Sequence, residues 1–122
     1  MLDLSRNQLG REGGVVLASV LASSLSLTSL NISHNNFGPN AGVALATAIR
    51  ERGLIAVLDL SKNELHTQSI SALVEMVACT RSLKSLDLSW NHLGAAAPIL
   101  KANSARMKHG GLPLEFLYSS QV

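Results

Sequence analysis

LDLSKNELH, residues Leu58 to His66, decides the fold, because the chain carries nearly the same phrase three more times. It reads LDLSRNQLG at Leu2 to Gly10, LNISHNNFG at Leu30 to Gly38 and LDLSWNHLG at Leu86 to Gly94. The asparagines Asn7, Asn35, Asn63 and Asn91 follow one another at a spacing of 28 residues. Counted from each Asn, an apolar residue recurs eight, five and three places before it and two places after. In the three full copies these are Leu27, Leu30, Ile32 and Phe37; Ile55, Leu58, Leu60 and Leu65; Leu83, Leu86, Leu88 and Leu93. The first copy has Leu2, Leu4 and Leu9.

Two periods alternate within each unit. In the LxL core of the phrase, the two apolar residues point to one face of a short strand and the residue between them to the other. The remainder follows a helical spacing of i, i+3, i+7: Gly14, Leu17, Leu21; Gly42, Leu45, Ile49; Ile70, Leu73, Val77. Strands joined through helices must run parallel, and such crossovers are right-handed almost without exception. The sequence therefore predicts an α/β solenoid, curved, with parallel strands on its concave face and helices on its convex face.

The pattern LxxLxLxxNxL resembles the leucine-rich repeat, and the period resembles its ribonuclease-inhibitor-like class, over Met1 to Leu93. Residues 1–97 read as four repeats, the first incomplete at its N-terminus. Residues 98–122 read as an irregular C-terminal segment containing a degenerate fifth repeat or an unstructured tail. In the former, Leu114 and Phe116 keep the core phase within a strand LEFLY, Glu115 faces inward and Ser119 replaces the Asn. The basic cluster Lys101, Arg106, Lys108 and His109 reads as a solvated face. Neither end shows a polar capping repeat, so self-association through uncapped ends, or membership of a longer array, is expected.

The fixed letters have physical reasons. Each Asn is expected to be buried where its strand turns away, with its amide satisfied by loop backbone of its own and neighbouring repeats, an asparagine ladder. Gly10, Gly38 and Gly94 follow at a place where the turn needs positive φ, and His66 departs from that rule. Pro39 suits a first helical position, Thr67 an N-cap for the helix beginning near Ile70.

Composition sets the remaining bounds. With 47% hydrophobic and 15% charged residues the chain is not of the disordered class, and with 3% aromatics its core must be aliphatic. A formal charge of +2 does not argue for nucleic acid. The apolar stretch Gly13 to Leu27 keeps phase with later segments and reads as a domain helix, not a signal peptide; no membrane span is expected. Cys79 is the only cysteine, so no intramolecular disulfide forms and a reducing, cytoplasmic setting is expected. Late in a helix, it reads as a small buried residue. The sequon Asn31-Ile32-Ser33 reads as chance.

Three columns are expected on the concave sheet, spaced by about 4.8 Å between strands. They are Asp3, Asn31, Asp59 and Asp87; Ser5, Ser33, Ser61 and Ser89; and, just before each Asn, Arg6, His34, Lys62 and Trp90. The last column lies outside the core, so folding leaves it free to vary, and a partner can be read there. The expected binding residues are Arg6, Asn31, His34, Asp59, Lys62, Asp87 and Trp90, facing a protein of complementary charge. Trp90 is the foremost anchor, although it has a second reading, lying over the Lys62 stem. No catalytic, cofactor or metal site is expected. The serines have no base in their column, and Glu64 with His92 reads as an exposed ion pair. The resemblance implies an intracellular protein-interaction module, scaffold or regulator. Its alternatives are a GTPase-activating or other enzyme-regulating domain and, more remotely, RNA binding through Arg6, His34 and Lys62.

Overall fold

Each copy of the phrase opens a strand and closes it within three residues. The protein was analysed as a computed structural model that describes residues 1–23, 26–52, 54–80, 82–93 and 115–117. Its strands are β1 (Leu2–Asp3), β2 (Ser29–Asn31), β3 (Val57–Asp59), β4 (Ser85–Asp87) and β5 (Glu115–Leu117). Helices α1 (Gly10–Ser23), α2 (Gly38–Arg52) and α3 (Ile70–Cys79) alternate with the first four, and a 3₁₀ turn at Thr67–Ser69 leads into α3. The described strands form one parallel sheet in chain order.

The register is that of the repeat: Leu2 opposes Leu30, Leu30 opposes Leu58, and Leu58 opposes Leu86. It changes at the last pair. Phe116 opposes Leu86, a place the strict period assigns to Leu114, and Leu117 rather than Glu115 lies opposite Asp87. Two residues beyond the period separate β4 from β5, and the pairing shifts by that amount. Ser119, Gly94, Pro98 and the basic cluster Lys101, Arg106, Lys108 and His109 lie outside the described residues.

The core lies between the sheet and the helices because LxL aims both of its apolar residues one way. Leu30, Ile32, Leu58, Leu60, Leu86 and Leu88 are each at most 1% exposed. They pack with Leu17, Leu21, Leu45, Ile49, Leu73 and Val77 in one cluster. Burying each such side chain contributes roughly 1.5–3 kcal/mol, which is how strands this short hold their place. Gly14 lets α1 approach α2, and Gly42 lets α2 approach the loop and 3₁₀ turn that carry Leu65 and Ser69. A Cβ on Gly14 would meet Ala41 Cβ at 2.6 Å, and one on Gly42 would meet Leu65 Cδ2 at 2.5 Å.

Several local expectations change. Thr67 is not a cap: it begins the 3₁₀ turn, and Ser69 at the N-cap of α3 makes no capping bond, its Oγ donating to the Pro39 carbonyl instead. His66, where the other copies have glycine, is extended at φ −121°, which explains why this repeat enters its helix differently. Cys79 is exposed, since the last turn of α3 carries it outward. Leu2 is 37% exposed and Leu4 and Leu9 are half-buried, because among the described residues β1 is the edge of the sheet. Val15, Val16 and Val20 on α1 are also exposed at this end.

Candidate interaction face

The open face of the sheet begins with the residues between the core leucines. Asn31, Asp59 and Asp87 are half-exposed, and each is tied to the serine two places on. Ser33 donates its N–H and its hydroxyl to Asn31 Oδ1 at 3.1 and 2.8 Å; Ser61 does the same to Asp59 Oδ1 at 2.9 and 2.6 Å. Ser89 and Ser5 donate their N–H groups to Asp87 and Asp3, both at 2.9 Å. Hydrogen bonds from the Ser5 side chain and then its backbone hold the Asp3 carboxyl below the usual carboxylate range. The expected hydroxyl column is therefore turned inward at Ser33 and Ser61, only 5% and 8% exposed, while Ser5 and Ser89 stay half-exposed. It locks the turn that ends each strand. Although Asp59 reaches the Ser61 hydroxyl, Asn31 makes the same bond to Ser33 and cannot accept a proton as a carboxylate does. The contact is structural.

Behind this turn runs the ladder. Asn63 donates to the carbonyls of Leu60 and Ser61 in its own repeat and of Ile32 in the preceding one, at 3.1, 3.2 and 2.9 Å, and accepts the Asn35 N–H at 2.8 Å. Asn35 bonds back to Leu4 and to the N–H groups of Asn7 and Leu9. Asn91 bonds back to Leu60 and to the N–H groups of Asn63 and Leu65. Asn35, Asn63 and Asn91 are at most 1% exposed. Asn7 departs from the expectation: it is exposed, and its amide nitrogen donates within its own repeat, to the carbonyls of Leu4 and Ser5.

The varying letter is less free than its variety implies. Arg6, His34, Lys62 and Trp90 all have φ between 56° and 59°. That is the left-handed region, imposed because the N–H groups of Arg6, His34 and Lys62 must reach the carbonyls of Ser33, Ser61 and Ser89 in the next repeat. Gln8, Asn36 and Glu64, one place after the Asn, are left-handed as well, at 52°, 55° and 58°. The one sequence signal for this was negative: neither column contains a β-branched residue.

These turns form the rim of the open face. Arg6, Gln8, His34, Asn36 and Lys62 line an open depression of about 400 Å³. Desolvation lowers the His34 pKa, the charges of Lys62 and Arg6 on either side lower it further, and Asp59 opposes them. Beyond Lys62 its Nζ stands 5.7 Å from the Trp90 ring centroid, in cation–π range, while Trp90 remains 54% exposed. Trp90 thus lies against Lys62, as its second reading expected, and keeps much of its surface open. The expected Glu64–His92 ion pair is replaced: the His92 ring stacks on His66 with centroids 4.8 Å apart, following the backbone bridge between those two residues. Among the described residues no cluster of three or more His, Cys, Asp or Glu could hold a metal ion, and no helix is long and apolar enough to cross a membrane.

The family model for the Leucine Rich repeat matches residues 2–18, 23–46 and 80–96. This is a leucine-rich-repeat protein. The repeat outside the match is the third, whose turn carries His66 in place of glycine. Among solved structures the leucine-rich-repeat chain is similar to "Leiomodin-1 Actin-Binding Site 2 (ABS2)", with a TM-score of 0.79 at 12% identity over 99% of this chain and 70% of that one. At that identity the likeness is one of fold. No curated protein matches the leucine-rich-repeat chain in sequence. Within the repeats, the structure brings Arg6, His34, Lys62 and Trp90 into one row at the rim and Asn31, Asp59 and Asp87 into a second row beside it. Gln8 and Asn36, which complete the depression, were not anticipated.

Proposed function

We propose that this leucine-rich-repeat protein is an interaction module, a scaffold or regulator, that takes a protein partner on its concave face and rim. The observation that carries the reading is Trp90, 54% exposed on a backbone fixed by the ladder and with Lys62 against its ring. A large aromatic held rigid in a polar surround loses little entropy when a partner covers it, which is the physics of an interface anchor. The fold of the leiomodin-1 site supports an interaction role and makes actin the first partner to try. An exposed, unpaired Cys79 suits a reducing, cytoplasmic setting.

The test begins with co-sedimentation on actin filaments, followed by affinity capture and identification of partners. Each partner is then titrated against Trp90→Ser. Loss of the anchor should weaken binding by about 2 kcal/mol, or roughly thirtyfold. A partner that binds Trp90→Ser and Asp59→Asn as tightly as the unaltered protein, with both variants folded, rejects the reading.

A further inference from the structure

Resting on the interaction-module reading, we propose that the rim depression between Arg6 and Lys62 seats an acidic segment of the protein partner, two of whose carboxylates lie three residues apart. The depression is lined by two cations, one titratable imidazole and two amides, and by no carboxylate. Arg6, His34 and Lys62 occupy the same place in consecutive repeats, whose backbones are hydrogen-bonded in register: Arg6 N–H to the Ser33 carbonyl and His34 N–H to the Ser61 carbonyl, both at 3.0 Å. At about 4.8 Å per strand, the Arg6 and Lys62 backbones stand about 9.6 Å apart, close to the ~9.3 Å of one three-residue turn of a polyproline-II segment crossing the strands, whose first and fourth side chains lie on one face. Carboxylates at the first and fourth positions reach Arg6 and Lys62, and the segment between them passes over His34.

The neighbouring row favours a peptide over a nucleic acid. Asp3 and Asp59 lie in the row beside Arg6 and Lys62, with neutral Asn31 between them, and a continuous phosphate backbone along the rim would meet their repulsion on either side of His34. A peptide can set its own polar or basic side chains against that row. His34 makes the site responsive to pH. Lys62 and Arg6 oppose its protonation and Asp59 favours it. A carboxylate seated beside it adds a second favouring charge and so draws a proton onto the ring.

The experiment uses a fluorescein-labelled Gly/Ser-rich octapeptide with two glutamates three residues apart, titrated into the full chain by anisotropy and by amide NMR. Control peptides replace both glutamates with glutamine or with lysine. The glutamate peptide should bind and shift the resonances of Arg6, Gln8, His34, Asn36 and Lys62. Arg6→Ser/Lys62→Ser should weaken it about tenfold, as loss of two exposed charge pairs does. Affinity should rise from pH 7.5 to pH 5.5, where glutamate is still ionised, and the rise should vanish in His34→Gln. No binding, binding undiminished in the double variant while circular dichroism finds it folded, or shifts outside the depression overturn the proposal. If the lysine peptide binds instead and is lost in Asp59→Asn/Asp87→Asn, the acidic-segment proposal fails while the interaction reading stands. Retention of a single-stranded RNA in preference to the glutamate peptide also overturns it.

Discussion

Replacing Asn63 with alanine tests the ladder at its most connected rung. The Asn63 amide is fully buried, donates to three carbonyls and accepts one N–H. The carbonyls are not stranded by its removal. Ile32 still accepts from Asn35, Leu60 still accepts from Asn91, and Ser61 still accepts the His34 N–H. The Asn35 N–H is the group left without its acceptor. Leaving one buried donor unsatisfied costs about 1–3 kcal/mol, and the loss of the three donated contacts should bring the total to about 2–3 kcal/mol. With a urea m-value of ~1.5 kcal/mol/M, the midpoint followed by far-UV circular dichroism should fall by about 1.5 M. Asn7→Ala is the internal comparison. Asn7 is exposed, water can replace its two bonds, and its loss should cost no more than about 1 kcal/mol. Asn63→Asp keeps the acceptor for Asn35 but cannot donate to the carbonyls, so its defect separates the two functions of the amide. Equal midpoints for Asn63→Ala and Asn7→Ala would refute the reasoning.

Lys62→Gly should raise stability by up to about 1 kcal/mol by relieving left-handed backbone, whereas Lys62→Val should lower it; a fall in both, measured by urea titration, contradicts the turn assignment. Gly42→Ala should cost about 1–3 kcal/mol, since its methyl would lie 2.5 Å from Leu65 Cδ2, and a thermal melt matching the unaltered protein would mean that α2 and the following loop can separate freely. His34 has a pKa below its unfolded value of 6.5, so the unfolded chain takes up the proton first. Its contribution to stability is therefore full above pH 6.5 and is lost as pH falls through the folded pKa, and a His34→Gln variant should show a shallower acid dependence in chemical denaturation.

How much of this was legible depends on whether a residue's role is written in its own letter. The leucines of LxL and the asparagines at a fixed spacing announce parallel strands, a one-sided core and a backbone-satisfying amide, because each type suits its environment and few others. Arg6, His34, Lys62 and Trp90 carry no such mark. Their left-handed backbone is imposed from outside, by carbonyls of the next repeat, and ordinary turn residues such as glycine are absent. Strict strand alternation, carried past the end of the strand, placed Ser33 and Ser61 on the open face; the Asn-x-Ser and Asp-x-Ser spacings held the correct answer, a side-chain lock two residues long. Cys79 fell in the last turn of α3, where an apolar stripe no longer fixes which way a side chain points. The β5 pairing escaped the period because two additional residues precede it, and no local pattern reports a shift of register.

The ladder also has a direction. Each of Asn35, Asn63 and Asn91 completes the loop of the repeat before it, and none of these three side chains donates to the repeat after it. The coupling carried by the asparagine side chains is therefore vectorial, whereas backbone bonds at the strand entrances run the other way, Ala56 N–H to Thr28 and Lys84 N–H to Ala56. Opening of the fourth repeat would take away the acceptor of the Asn63 and Leu65 N–H groups, whereas opening of the first would leave Asn35 with an idle oxygen and one fewer carbonyl to reach. Stranded donors are rarer in folded proteins than under-used acceptors, so fraying that starts in the asparagine turns should travel more readily toward the first repeat than away from it. In hydrogen exchange, the Asn63 amide then acts as a reporter for an event one full repeat downstream, and protection of the Asn35 and Asn63 amides records the stability of the repeat that follows each.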